Sequence, residues 1–243
     1  MATTLTIVLP GDEIASSALP QCPNKKKPLT LGPGLRHIPP ETITTTIAGA
    51  LMTDNKKNAA WIEFNSGRYL PTPGDLVIAT VNNSVGESFN CFLTPNTPAA
   101  ALGHLAFEGA TRKTRPQLAP SSLVYARVLS AGRDSAPELT CVDPSTGKSE
   151  GLGPLKGGMV FKVSLGMARR LLAGRKKGGV AVLELFGEKV GFEVSVGRNG
   201  VVWVDGGSVK NTLAIGRAVQ EVDEQALGEA GQKKLVEKVL KRL

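Results

Sequence analysis

The order of apolar and polar residues predicts short strands through most of the chain and helices only towards its end. An apolar-rich stretch, Leu5 to Leu9, is closed by the turn signal Pro10-Gly11-Asp12. A polar, proline-rich stretch follows through Lys25-Lys26-Lys27-Pro28, Gly32-Pro33-Gly34 and Pro39-Pro40. Thr42 to Leu51 has the β-branched richness of a strand, and Ala59 to Phe64 reads as another. Residues 1–68 are therefore expected to form a small β domain with one or two long loops.

The texture changes at Tyr69-Leu70-Pro71-Thr72-Pro73-Gly74-Asp75. Strands are expected at Leu76 to Val81, Glu87 to Leu93, Leu102 to Phe107, Leu123 to Leu129 and Leu139 to Val142, with Asn82-Asn83-Ser84 as a loop. Five short strands over residues 69–152 suit a closed or nearly closed OB-type barrel, whereas an open sandwich takes about seven. Residues 153–243 are mixed α/β. Met159 to Val163 reads as a strand, Gly166 to Leu172 as a short helix, Gly174 to Gly179 as a basic loop, and Val180 to Phe186 as either helix or strand. Apolar residues alternate at Phe192, Val194 and Val196 and again at Val202 and Val204, around Gly197-Arg198-Asn199-Gly200, a hairpin signal. Ile215 to Leu243 is expected to be helical, with an apolar stripe at Leu235, Val236, Val239, Leu240 and Leu243 opposite a basic face. The fold class is mainly β with α+β.

Composition narrows the chemistry. No apolar run approaches the ~18 residues of a membrane span, and the first residues lack a basic n-region, so neither a membrane partner nor a secretory signal is expected. Cys22, Cys91 and Cys141 cannot all pair, which favours a reducing compartment, and no two stand at metal-ligand spacing. With only His37 and His104, an ordinary zinc finger is excluded and histidine-based nucleophilic catalysis is weakened. No cofactor and no metal are expected. His37 reads as a surface loop residue, and Trp61 and Trp203 as packing residues within strands.

The 243 residues carry a formal charge of +8, which points to a polyanion. Cut at the texture changes, residues 1–68 hold +2, residues 69–152 hold −1 and residues 153–243 hold +7. Catalytic motifs are missing: Gly166 to Arg170 lacks the ending of a Walker loop, and no nucleophile elbow occurs. Asp134, Glu138 and Asp143 could be imagined as the metal cluster of a cryptic nuclease, but read better as solvated turn acids. The chain is expected not to be an enzyme and to have no catalytic residue.

A more suggestive constellation is Arg112-Lys113-Thr114-Arg115-Pro116, following the stretch that bears His104. On an OB-type barrel, cations track phosphates while ring faces stack bases, so His104, Arg112, Lys113 and Arg115 are the candidate RNA-binding residues. The same cluster would also suit a solvated loop or an acidic protein neighbour. Arg169, Arg170, Lys176 and Lys177 are candidates for contact with RNA or with another subunit, and a solvated basic face fits them equally well.

Several strings resemble one family. Tyr69-x-Pro71-x-x-Gly74-Asp75-x-Val77-Ile78, Leu102 to Pro116 (LGHLAFEGATRKTRP), Val124-Tyr125-Ala126 and Glu138-Leu139-x-Cys141-x-Asp143 resemble the S1-type domain of exosome cap subunits. FEGATRKTRP is especially similar to the ribosomal RNA-processing protein 40 family. Phe161-x-Val163-x-Leu165 to Leu172 and FEVSVGRNGVVWV resemble its KH-type domain, and Val8-x-Pro10-Gly11-Asp12 with Gly32-Pro33-Gly34-Leu35 its N-terminal domain.

The resemblance implies a non-catalytic, RNA-binding subunit of the eukaryotic RNA exosome. In that machine three S1/KH proteins cap a six-membered ring, and RNA is threaded towards separate 3′→5′ ribonucleases. It further implies single-stranded RNA bound with little sequence specificity and ring and other cap subunits as partners. It implies work in ribosomal RNA processing and RNA degradation, in nucleus, nucleolus and cytoplasm. Gly197, Asn199 and Gly200 then belong to a structural Gly-x-Asn-Gly motif between domains; flanking strands set it apart from the GXXG loop that joins two helices in an RNA-clamping KH domain. Arg198, where an apolar residue is usual, and Cys91-Phe92-Leu93-Thr94 depart from the family pattern. A free-standing S1/KH RNA-binding factor is the alternative.

Overall fold

The computed structural model describes residues 6–20, 28–55, 58–65, 67–95, 97–132, 135–174 and 180–241. The chain divides into two compact units, Met1–Asn65 and Ser66–Leu243.

In the first unit the strands are β1 (Ile7–Val8), β2 (Thr30–Leu31), β3 (Leu35–Ile38), β4 (Thr42–Thr45), β5 (Gly49–Asp54) and β6 (Ala59–Glu63). They form a four-stranded sheet, β1-β5-β6-β2, and a separate β3-β4 hairpin. The run expected as one strand from Thr42 to Leu51 is broken into two. Its first half pairs with β3 and with the Pro10–Asp12 turn (Thr45 N to Asp12 O, 3.0 Å), while its second half pairs with β6. At the start of β5 the backbones close so tightly that a Cβ on Gly49 would stand 2.4 Å from Glu63 O, so the new pairing begins on a glycine. His37, expected in a loop, lies on β3 opposite Ile43, and it is exposed.

The second unit begins with a six-stranded sheet: β7 (Leu76–Val85), β8 (Ser88–Phe92), β9 (Ala100–Gly103), β10 (Leu123–Ser130), β11 (Glu138–Thr140) and β12 (Gly153–Leu155). The order β11-β9-β8-β7-β10 closes through a further β10–β11 pairing, with β9 and β11 parallel. That closure makes the five-stranded barrel, and β12 extends the sheet by pairing with β10 at Leu123–Tyr125. Val77, Ala79 and Val81 alternate into the barrel with Phe89, Cys91, Leu102, Val124, Ala126, Val128 and Leu139.

Two expectations fail here. Asn82-Asn83-Ser84 is not a loop: β7 continues to Val85, with a register shift between Val81 and Asn83, and the turn falls at Gly86-Glu87. These residues read as a loop because their exposed side chains are polar, but their backbone groups stay on the ladder to β8. The strand expected at Leu102 to Phe107 is β9, which ends at Gly103; His104 leaves it for a turn.

The remaining elements are β13 (Met159–Lys162), α1 (Leu165–Ala173), α2 (Val182–Gly187), β14 (Glu193–Gly197), β15 (Val201–Asp205), α3 (Val209–Glu224) and α4 (Glu229–Leu240). The sheet is β13-β15-β14, and the helices cover the face that carries Phe161, Val196, Val202 and Val204. Val180 to Phe186 resolves as the helix α2. The helix expected from Ile215 onward starts earlier, at Val209, and is two helices, broken at Gln225-Ala226-Leu227-Gly228, where Ala226 takes φ +48°. Gln232 stabilises the break: its amide donates to Leu227 O (2.8 Å) and accepts from Ala181 N (3.0 Å). Leu235 and Val236 are buried, and Val239 and Leu240 are partly buried.

Candidate nucleic-acid interface

The basic stretch is a built turn. Thr111 and Thr114 bracket Arg112 and Lys113, and their hydroxyls meet at 2.8 Å. The Thr114 hydroxyl accepts from Thr111 N (3.0 Å) and the Thr111 hydroxyl accepts from Thr114 N (3.2 Å). Thr111 O accepts from Thr114 N (3.2 Å) and Arg115 N (2.9 Å), one helical turn that is not continued. Two threonines three residues apart thus staple the corner by competing for its backbone groups. Arg112 and Lys113 stand at the corner, exposed.

Arg115 differs from the other two cations. Its Nη1 lies 2.7 Å from Nδ1 of His104, whose Nε2 lies 2.9 Å from the Ser84 hydroxyl on β7. His104 itself is 5% exposed and packs its ring against Phe89, centroids 4.3 Å apart. Its backbone N–H donates to Glu87 O (2.9 Å), which fixes the turn out of β9. The ring is therefore spoken for on its face and at both nitrogens, and it underlies the basic turn.

Among the described residues none of Arg112, Lys113 and Arg115 pairs with a carboxylate. The nearby acids are engaged elsewhere. Glu108 accepts from Ser149 N (2.8 Å), and that hydrogen bonding holds its carboxyl below the usual range. Asp143 accepts from Ser145 N (2.8 Å) and faces Arg127 at 3.5 Å; the Ser145 bonds, with Arg127 as a lesser cause, hold it low as well. Glu138 accepts from Ser130 (3.1 Å), and Asp134 lies outside the described residues. No group of three metal-binding side chains occurs among the described residues.

The Gly197–Gly200 segment sits at the junction of barrel and α/β domain. Gly197 pairs with Val201, so Arg198, Asn199 and Gly200 form a three-residue hairpin loop with Gly200 at φ +75°. β8 ends opposite Thr80, so the peptide edge of β7 beyond it has no strand partner there. The loop takes that place. Arg198 N donates to Leu76 O (2.7 Å), and the buried Asn199 side chain accepts from Ile78 N (3.3 Å) and donates to Ile78 O (2.9 Å) and Leu93 O (2.6 Å). One carboxamide thereby replaces a missing rung of the ladder. A Cβ on Gly197 would stand 2.8 Å from Ile78 N, and one on Gly200 2.7 Å from Val163 O. Arg198 turns its guanidinium to Asp75 (3.4 Å), which also accepts from the Tyr69 hydroxyl (2.9 Å).

Three stretches of the chain match family models. Residues 69–153 match the S1 domain of exosome complex component RRP40, residues 29–68 the exosome complex exonuclease Rrp40 N-terminal domain, and residues 158–210 a KH domain. The exosome complex component RRP40 of Drosophila melanogaster is 37% identical over 229 residues, covering 94% of this chain and 94% of the relative. The chain belongs to the RRP40 family. The Saccharomyces cerevisiae RRP40 is 33% identical, covering 89% of this chain and 88% of its own, and the human one 30%, covering 88% and 83%. A crystal structure described as that of a candidate exosome complex RNA-binding protein shares the fold, with a TM-score of 0.56 at 22% identity, over 71% of this chain and 95% of its own.

In this RRP40-family chain two of the other candidate cations, Arg169 and Arg170, lie on α1. Arg170, near the end of α1, faces Asp223 at 3.7 Å, and Arg169 is half-buried beside it. Lys176 and Lys177 lie outside the described residues. Sequence reasoning passed over Ser84, Thr111 and Thr114. The Thr-x-x-Thr spacing could have revealed the last two, but Ser84 reaches His104 only because β7 runs on past Asn82.

Proposed function

We infer that this chain is a non-catalytic, RNA-binding cap subunit of the eukaryotic RNA exosome, which helps to assemble the ring and guides RNA to separate 3′→5′ exoribonucleases. The observation that carries the reading is the stapled turn: three cations unpaired with any described carboxylate, on an S1 barrel, in a chain of the RRP40 family. Arg112, Lys113 and Arg115 supply sequence-independent attraction to the phosphates of single-stranded RNA, with His104 beneath them. Arg169, Arg170, Lys176 and Lys177 are assigned to a second contact, with RNA or a neighbouring subunit. Gly197, Asn199 and Gly200 are assigned a structural role. Ring subunits and other cap subunits are the protein partners, and nucleus, nucleolus and cytoplasm the places of action, in ribosomal RNA processing and RNA degradation. The absence of catalysis is supported by Glu138 and Asp143, the two described members of the imagined metal cluster, whose oxygens are engaged by Ser130, Ser145 and Arg127.

Replacing Arg112, Lys113 and Arg115 together by alanine is expected to weaken RNA binding and to flatten its salt dependence, by about one unit of log–log slope per lost phosphate contact. The measurement is RNA affinity against salt in the reconstituted complex. An unchanged slope would remove the site, and failure of the tagged chain to co-purify with ring subunits would remove the cap assignment.

A further inference from the structure

The basic turn rests on a support of its own, made by His104, Ser84 and Phe89. An arginine side chain has only donors, so an Nη1 placed 2.7 Å from Nδ1 of His104 needs a lone pair on that nitrogen. His104 is then the neutral tautomer with its proton on Nε2, and that proton points at the Ser84 hydroxyl 2.9 Å away. The ring cannot rotate out of this arrangement without losing its packing on Phe89.

We propose that His104, oriented by Ser84 and Phe89, is a positioning residue that presets the Arg115 guanidinium for an RNA phosphodiester, without touching RNA itself. The proposal rests on the stapled turn being the RNA site. Among the described residues Arg112 and Lys113 have no side-chain hydrogen bond or ion pair, so their long side chains must be ordered when RNA arrives. Arg115 is held before RNA arrives, and one of its five N–H groups serves His104, leaving four for phosphate oxygens. Such preordering is worth roughly a two- to tenfold gain in affinity, the entropy of immobilising one long side chain. It also makes arginine necessary at this one position, since a lysine ammonium cannot hold Nδ1 and a phosphate in one plane.

The test uses charge-conserving variants of the full chain, titrated with a fluorescein-labelled uridine oligomer over a series of salt concentrations. Arg115→Lys and His104→Gln are each expected to weaken binding roughly two- to tenfold with an unchanged salt slope, and the double variant is expected to be no worse than either. Arg112→Lys, which keeps the charge and breaks no held contact, is expected to cost less than Arg115→Lys, and His104→Asn, whose amide oxygen falls where Nδ1 stood, less than His104→Gln. Long-range proton–nitrogen NMR on the native chain should report the Nε2–H tautomer. If Arg115→Lys binds as well as Arg112→Lys, or if the tautomer is Nδ1–H, the positioning role is overturned while the RNA site stands. If the triple alanine variant also binds normally, the RNA site falls and the positioning role with it.

Discussion

At the scale of single residues, the barrel interior holds two buried thiols, Cys91 and Cys141. Burial pushes Cys91 up to about 11, and burial with a lesser effect of Cys91 pushes Cys141 up to about 12, from an ordinary 9.0. Tyr69 is likewise held well above the usual phenol range, first by burial and then by the Asp75 carboxylate. For each group the folded value exceeds the unfolded one. The stability it contributes is therefore whole below the unfolded value and is lost as pH rises through the folded one. The unfolding free energy from urea titrations should accordingly fall from about pH 9 upward, by roughly 2 kcal/mol per thiol at pH 11, and the urea midpoint with it. In a Cys91→Ala/Cys141→Ala variant that early part of the decline should vanish, leaving the Tyr69 part above about pH 10. A midpoint that falls just as steeply without the thiols would show that they are not its cause.

At the scale of elements, α3 lies flush on β13 at one point. A Cβ on Gly216 would stand 2.1–2.3 Å from the ring atoms of Phe161, which fills the space a side chain would need. Gly→Ala inside a helix ordinarily gains about 1 kcal/mol, whereas forcing an extra methyl into a packed core costs about 1–3 kcal/mol. The overlap here is severe, and Phe161 is itself packed in the core, so the cost should win. Gly216→Ala should destabilise by roughly 1–2 kcal/mol. Gly231→Ala in α4, whose nearest neighbour is the Leu227 side chain at 3.4 Å, should be neutral or stabilising. Chemical denaturation of the two variants checks the pair, and equal effects would contradict the close approach. Elements were legible from sequence where apolar residues recur at a regular period or in a bounded run: β8, β10, β13, β15 and α1 fall within a residue or two of their expected places. The misses have definite causes. β7 was cut short because polar side chains hide a backbone that remains paired. The two C-terminal helices were fused because Ala226, not a glycine or proline, takes the positive φ that ends the first.

At the scale of the whole molecule, barrel and α/β domain are one compact unit with two cores. Ile78 shows how they are joined: it is buried, yet belongs to neither core, and both its backbone groups are paired by Asn199. Tyr125 adds a hydrogen bond from its hydroxyl to Val196 O (3.2 Å). Asn199→Ala would leave two carbonyls and an N–H of the barrel unpaired, at roughly 1–3 kcal/mol for each group that water cannot reach. Residues 66–243 should melt in a single calorimetric transition that Asn199→Ala lowers and splits in two. Two transitions in the native unit would show that the junction does not couple them. Arg198→Ala should matter far less, about 0.5 kcal/mol, because its ion pair with Asp75 is half open to solvent.

The candidate site divides along the same line. The cluster of cations from Arg112 to Arg115 is a fact of sequence, because local charge needs no fold to be seen. Net charge pointed elsewhere, since the barrel is −1 and the last third +7. That Arg115 is held, while Arg112 and Lys113 have no carboxylate partner among the described residues, was decided only in three dimensions, where β7, β8 and the turn after β9 bring Ser84, Phe89 and His104 together. The Asn199 bridge was settled there too, across 121 residues of chain. Apolar periodicity and charge are one-dimensional properties and can be read in order. A hydrogen-bond partner distant in the chain is chosen by closure of the barrel, and no local pattern encodes that choice.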